Sequence, residues 1–114
     1  MDGRAQQLEI RVREGEGCAR MSLHGELDVA TAAVLSERLA AINRTGVTEL
    51  TVDLAELSYV DAAGLSPLVV EQQRATASGM TLRIESPTVF VRDLLTVTGL
   101  IDYLTVLPDD GSGN

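Results

Sequence analysis

From Leu8 the chain alternates: Leu8, Ile10 and Val12 are apolar, and Glu9, Arg11 and Arg13 are polar. A two-residue period of this kind marks a strand with one wet face. Glu14-Gly15-Glu16-Gly17 reads as a turn. The alternation then resumes, with Ala19, Met21 and Leu23 set against Arg20, Ser22 and His24. Two such runs across a short Gly-containing loop predict an antiparallel hairpin. At Asp28 the period changes. Asp28 suits a helix N-cap. Behind it Ala32, Leu35, Leu39 and Ile42 recur at helical spacing, one buried face. Asn43-Arg44-Thr45-Gly46 ends that helix, with Gly46 free to take positive φ. Leu50, Val52 and Leu54 alternate with Thr51 and Asp53 in a third strand.

Leu65, Leu68, Val69 and Gln72 share one face of a second helix that runs to about Ala77 and stops at Ser78-Gly79. Met80, Leu82 and Ile84 make a fourth strand. Ser86 as N-cap with Pro87 at the first helical position predicts a third helix. Its apolar stripe is Phe90, Leu94 and Val97, with Val91 and Leu95 alongside, and Gly99 is its stop. Tyr103-Leu104-Thr105-Val106 predicts a last short strand. Residues 1–6 and the Asp-, Gly- and Ser-rich stretch 108–114 are expected to be flexible termini.

The resulting order is strand, strand, helix, strand, helix, strand, helix, strand, which is the α/β class. Strands separated by helices pair in parallel through right-handed crossovers, and the opening hairpin makes the sheet mixed. The expectation is one domain over residues 7–107, a mixed four- to five-stranded sheet with helices mainly on one face. Pro67 constrains the second helix. If the helix began directly after Asp61, Pro67 would sit in its interior and delete a backbone hydrogen bond. Ser66 as N-cap with Pro67 at the first helical position avoids that loss. Regular helix is therefore expected to begin near Ser66, or the first turn to be distorted.

Composition narrows the function. The chain is 45% hydrophobic but only 3% aromatic, so Leu, Val, Ile and Ala must build its core. A formal net charge of −8 repels nucleic-acid phosphates and anionic membranes, and neither is expected as a partner. A partner with a basic or mixed face is favoured in encounter. Cys18 is the single cysteine, which suits a reducing compartment, and it reads as a small apolar residue opening a strand. No stretch approaches the ~20 apolar residues of a membrane span, and no signal-peptide pattern opens the chain. A cytoplasmic location is the expectation.

Catalytic side chains are scarce. His24, the single histidine, reads as a solvent-facing strand residue, with no nucleophile-elbow serine to partner it. There is no Gly-rich phosphate loop and no Cys/His cluster. The expectation is a non-enzyme without metal or cofactor.

Three short motifs carry a resemblance. Gly25-Glu26-Leu27-Asp28 resembles the G-E-L/I-D motif that opens the first helix in the STAS family. Asp61-Ala62-Ala63-Gly64-Leu65 is similar to that family's D-S-S/A-G-L loop. Ser86-Pro87, followed by Leu94-Leu95 and Thr98-Gly99-Leu100, resembles its S-P-x-V…L…T-G-L ending. The motifs stand in family order within Leu8 to Val106. Resemblance to the STAS family, and within it to bacterial anti-sigma factor antagonists, implies a STAS-like fold and partner switching. A family antagonist binds an anti-sigma factor, typically a serine-kinase-type ATPase, and so frees a sigma factor for transcription. The kinase inactivates the antagonist by phosphorylating a Ser or Thr of the loop.

On that resemblance the partner-binding residues are Asp28, Asp61, Ala62, Ala63, Gly64, Leu65 and Ser66. The family's phosphoacceptor position is Ala63, which has no oxygen, and Ala62 has none either. Three readings stand open. The chain is permanently competent to bind, which is the leading one; Ser66 or Ser58 substitutes as acceptor; or the alanine was introduced to lock the unphosphorylated form. Asp61 serves as a contact or as a cap, Asp28 as a cap first, Gly64 for backbone conformation or close approach, and Leu65 for core packing ahead of exposed anchoring. A weak homodimer stays open. The alternative function is a STAS accessory subunit bracing the ATPase of a lipid-transport ABC system.

Overall fold

A tight turn sets the register of the first strand pair. In the computed structural model, which describes residues 7–42 and 46–108, strand β1 (Leu8–Gly15) and strand β2 (Cys18–Leu27) are joined by Glu16 and Gly17 alone. Both have positive φ, 52° and 83°, the mirror-image turn whose twist matches that of the flanking strands. Gly15 therefore pairs with Cys18, and Ile10 and Val12 stand opposite Leu23 and Met21. After helix α1 (Ala32–Ile42), strand β3 (Glu49–Val60) pairs parallel to β2; after helix α2 (Ala62–Ser78), strand β4 (Thr81–Glu85) pairs parallel to β3. The spatial order is β1-β2-β3-β4, the expected mixed sheet with an antiparallel hairpin at one edge. Helices α3 (Val89–Val97) and α4 (Leu100–Tyr103) follow.

Alternation along the strands separates two faces. Met21, Leu23, Leu50, Val52, Leu54, Leu82 and Ile84 are buried on one, with Leu35 and Leu39 of α1, Leu65 and Leu68 of α2, and Val91 and Leu95 of α3 in the same core. The other face is polar. Arg20 reaches across it to Glu85 (Nη1–Oε1 3.0 Å) and to Asp53 (Nη2–Oδ2 3.1 Å), and Arg83 pairs with Glu49. Asp53 is thus an ion-paired strand residue that also accepts from the Ala55 N–H at 2.9 Å. Cys18, expected as an apolar residue, is exposed at the strand start, with its Sγ 3.6 Å from Glu49 Oε1.

Pro67 and Pro87 sit differently from their sequence-based placement. Helix α2 begins at Ala62, not near Ser66, and Pro67 lies inside it. Asp61 is the N-cap, its carboxylate accepting from the Gly64 N–H at 2.9 Å. Pro67 removes the donor for one acceptor only, the Ala63 carbonyl. The Ala63 carbonyl therefore lacks its usual helical donor. In α3 the cap is Thr88, which accepts from the Val91 N–H at 3.2 Å, while Ser86 has a left-handed φ of 56°. The stripe follows this start. Val91 and Leu95 are buried, Leu94 is half-buried, and Phe90 and Val97 are exposed by 56% and 80%. The face is turned by one residue, roughly 100°, from the expected Phe90-Leu94-Val97 stripe.

The last expected strand shrinks to one bridge. Tyr103 is taken by α4, and Val106 pairs with Ile84, with the Ile84 N–H donating to Thr105 O and the Leu107 N–H to Ile84 O, each 2.8 Å. The expected flexible termini lie outside the described residues except Pro108, as do Asn43, Arg44 and Thr45 of the expected helix end; Gly46 has φ 83°. No helix of the described residues is long and apolar enough to cross a membrane.

Two outcomes follow. Leu95→Ala empties a fully buried site and is expected to cost about 2–5 kcal/mol, whereas Phe90→Ala should stay below about 1 kcal/mol; urea denaturation distinguishes them, and the unrotated stripe would give the reverse order. The hydrogen bond from Arg20 holds the Glu85 carboxyl below its ordinary range. A carboxylate with a depressed folded pKa stabilises above its unfolded pKa and loses that effect as pH falls through the folded one. The stability difference between the protein and Glu85→Gln should therefore be present at neutral pH and fade below about pH 4.5, read from denaturation midpoints across pH.

Candidate functional site

Leu27 and Val60, the last residues of β2 and β3, are register partners in parallel strands. The turn leaving β2 and the helix leaving β3 must therefore emerge side by side. The Asp61 N–H donates to Leu27 O at 3.2 Å. Gly64 then brings α2 onto that backbone: a Cβ there would lie 2.2 Å from Leu27 O, 2.5 Å from Leu27 C and 2.8 Å from Asp28 N. Only glycine permits this approach. Gly25, at φ 113°, is a second such point, where a Cβ would meet Gln7 O at 2.2 Å.

Each turn is held by an aspartate. Asp28 Oδ1 accepts from the Ala30 N–H (3.0 Å) and the Thr31 N–H (3.1 Å). Thr31 Oγ1 accepts from the Asp28 N–H (2.9 Å) and donates to Glu26 O (3.0 Å). This is a reciprocal capping box with Thr in the returning position. Asp61 caps α2 by one bond, from the Gly64 N–H, while its own N–H goes to Leu27 O. Both aspartates are half-buried, and their carboxylates flank the surface between the two turns.

The expected partner-binding residues divide accordingly. Ala62, Ala63 and Ser66 face solvent, and Asp28 and Asp61 do so in part. Leu65 is fully buried and belongs to the core, so it offers no anchor. Gly64 is buried and acts through its missing side chain. Ser66 is not a cap but an exposed residue within α2. Ser58 is exposed on β3, its hydroxyl donating to Gly25 O at 3.1 Å.

Sequence reasoning missed the apolar surroundings. Val29 is 75% exposed in the β2–α1 turn, and Val34, Val70 and Tyr59 are each more than 40% exposed. Ala63, Ser66 and Val70 lie three and four residues apart, one outward face of α2. That spacing was present in the sequence, on the side opposite the Leu65-Leu68 stripe. What the arrangement offers chemically is a rigid apolar patch with carboxylates beside it. Among the described residues no group of His, Cys, Asp and Glu could hold a metal ion.

Residues 10–108 match a family model described as "Mlab, STAS domain". The chain belongs to the STAS domain family. Among its STAS relatives are proteins named anti-sigma-B factor antagonist. The one from Staphylococcus epidermidis is 33% identical over 99 residues, covering 87% of this chain and 92% of the relative. The one from Bacillus subtilis is 28% identical over 99 residues, covering 87% and 90%. The STAS fold is matched by the crystal structure of an anti-sigma factor antagonist from Mycobacterium paratuberculosis, at TM-score 0.79 and 21% identity over 89% of this chain and 86% of that one. Within this STAS domain the two turns that meet at Gly64 are those of its G-E-L-D and D-A-A-G-L segments.

Gly64→Ala tests the contact. The added methyl has no flexible neighbour to displace, since all three nearest atoms are backbone. Destabilisation of about 1–3 kcal/mol or more is expected, together with amide shifts at Leu27–Thr31 in NMR spectra; an unperturbed β2–α1 turn would show that the two turns are not coupled.

Proposed function

We propose that this protein is an anti-sigma factor antagonist that binds a kinase-type anti-sigma factor through the patch around Ala62 and Ala63, thereby freeing a sigma factor for transcription. The observation that carries the reading is the placement of Ala62 and Ala63: exposed, at a capped helix N-terminus, and held by the Gly64 contact. The loop that the resemblance marks as the docking element is the one whose methyl groups face out. Its carboxylate flanks and the net charge of −8 favour a partner with an apolar centre and basic surroundings.

The same placement bears on regulation. A phosphoryl group would add about −1.5 to −2 charge at this surface. A helix N-terminus tolerates such an anion locally, because its free N–H groups point at it. The negative charge would then act on the partner rather than on the fold. Ala63 cannot carry the group, so the chain stays in its binding-competent form. Ser66 has an exposed side chain but sits in regular helix, and Ser58 donates its hydroxyl to the neighbouring strand. Both hydroxyls are thus constrained, that of Ser66 by the helix and that of Ser58 by its hydrogen bond.

The experiment pairs binding with modification. Ala63→Glu should weaken the complex with the cognate anti-sigma factor at least ten-fold, measured by calorimetry, with the fold retained by circular dichroism. With that kinase and ATP, the protein should remain unmodified by mass spectrometry, while Ala63→Ser gains one phosphate. Unchanged binding by Ala63→Glu, or stoichiometric phosphate on Ser66 or Ser58 of the unaltered chain, overturns the reading. The second reading, an accessory subunit bracing a transporter ATPase, is favoured by one observation: the matching family model is described by Mlab rather than by an antagonist. Affinity capture that recovers a transporter ATPase in place of an anti-sigma factor would select it.

A further inference from the structure

The open face of the sheet carries a feature that the docking reading leaves unused. Arg11, Arg13, Arg20, Ser22 and His24 line a depression of about 220 Å³ on the β1–β2 hairpin. In a chain of net charge −8, three arginines and the single histidine converge here, and no carboxylate lines the depression.

The register makes the arrangement costly without a ligand. Arg13 stands directly opposite Arg20, and Arg11 opposite Ser22. Like charges directly across a strand pair destabilise it. Arg20 answers this by turning to Glu85 and Asp53 on the far side. Arg13 has no ion pair among the described residues. Arg11 pairs with Glu9 at 3.2 Å, but both side chains are more than half exposed, and such pairs contribute only about 0–1 kcal/mol. Arg11 and Arg13 thus stand on β1 opposite Ser22 and Arg20, with the His24 imidazole further along β2 opposite Glu9. That donor set, with planar forks suited to bidentate contact, matches a tetrahedral oxyanion. The depression has no aromatic lining on which a nucleobase could stack.

We propose that this depression binds the phosphate group of a small molecule, gripped by Arg11 and Arg13 and completed by the Ser22 hydroxyl and His24. Arg20 is a positioning residue, tied back to Glu85 and Asp53 so that it lines the site without closing it. Binding relieves the repulsion between Arg13 and Arg20, so the ligand stabilises the hairpin as well as occupying it.

The test is an NMR titration of the ¹⁵N-labelled chain at constant pH and ionic strength, with inorganic phosphate in one arm and glycerol phosphate in the other. Saturable shifts at Arg11, Arg13, Ser22 and His24 are expected, with the tighter arm identifying free phosphate or its monoester. Binding should weaken at least ten-fold in Arg11→Gln/Arg13→Gln and be unchanged in Arg38→Gln, which lies on α1. Melting of the double variant without ligand should match or exceed that of the unaltered chain, because a repulsion is removed; this separates lost binding from lost folding. Non-saturable shifts, shifts reproduced by chloride, or equal affinity in the double variant overturn the proposal.

Discussion

The molecule is organised around one backbone contact, that of Gly64 against Leu27 and Asp28. A Cβ would have to stand 2.2 Å from a carbonyl oxygen, so the contact admits no side chain and leaves no slack. It follows from the pairing of Leu27 with Val60, because parallel strands that end level must send their chains out together. The Asp61 N–H, donating to Leu27 O, fixes the turn before the helix has begun. Two caps then hold the two turns from inside. Ala62 and Ala63 are exposed beside this contact, and the backbone packing at Gly64 sets their position.

This contact also accounts for Pro67. A proline in a helix is expensive where its missing N–H orphans a buried carbonyl. Here the orphaned acceptor is that of Ala63, on the exposed first turn. Starting the helix at Ser66 would leave Ala63 outside the helix, with no donor missing there, but would give up the Asp61 cap and the Gly64 approach together. The fold retains those and forgoes one helical hydrogen bond.

The two-residue and 3.6-residue periods were legible because burial here is one-sided: every strand has a wet face and every long helix a single stripe. The hairpin, the parallel crossovers and the core residues of α1 could be read directly. The misplacements share a cause. At Pro67 and at Pro87 the preference of proline for the first helical position pointed to Ser66 and Ser86 as caps. In both cases a different side chain, Asp61 or Thr88, makes the cap hydrogen bond. A positional preference is local, whereas the start of a helix after a strand is decided by where that strand ends and what it touches. The rotated stripe of α3 is the downstream result. The site was legible as a motif but not as a surface. Leu65 and Val70 are both apolar residues of one helix, and only packing tells that the first is core and the second exposed.

A surface fixed in this way behaves differently from a loop that orders on binding. A partner meeting Ala62 and Ala63 has little backbone to immobilise, so less of its interaction energy goes into ordering. A signal could shift such a patch only if a second conformation were open to it, since a population shift requires two. Control of a rigid patch must then be chemical, through charge placed on it, or by mass action, through concentration. With methyl groups at both loop positions the first route is closed there. On the reading proposed above, occupancy of the partner is set by how much of this chain is present relative to the dissociation constant.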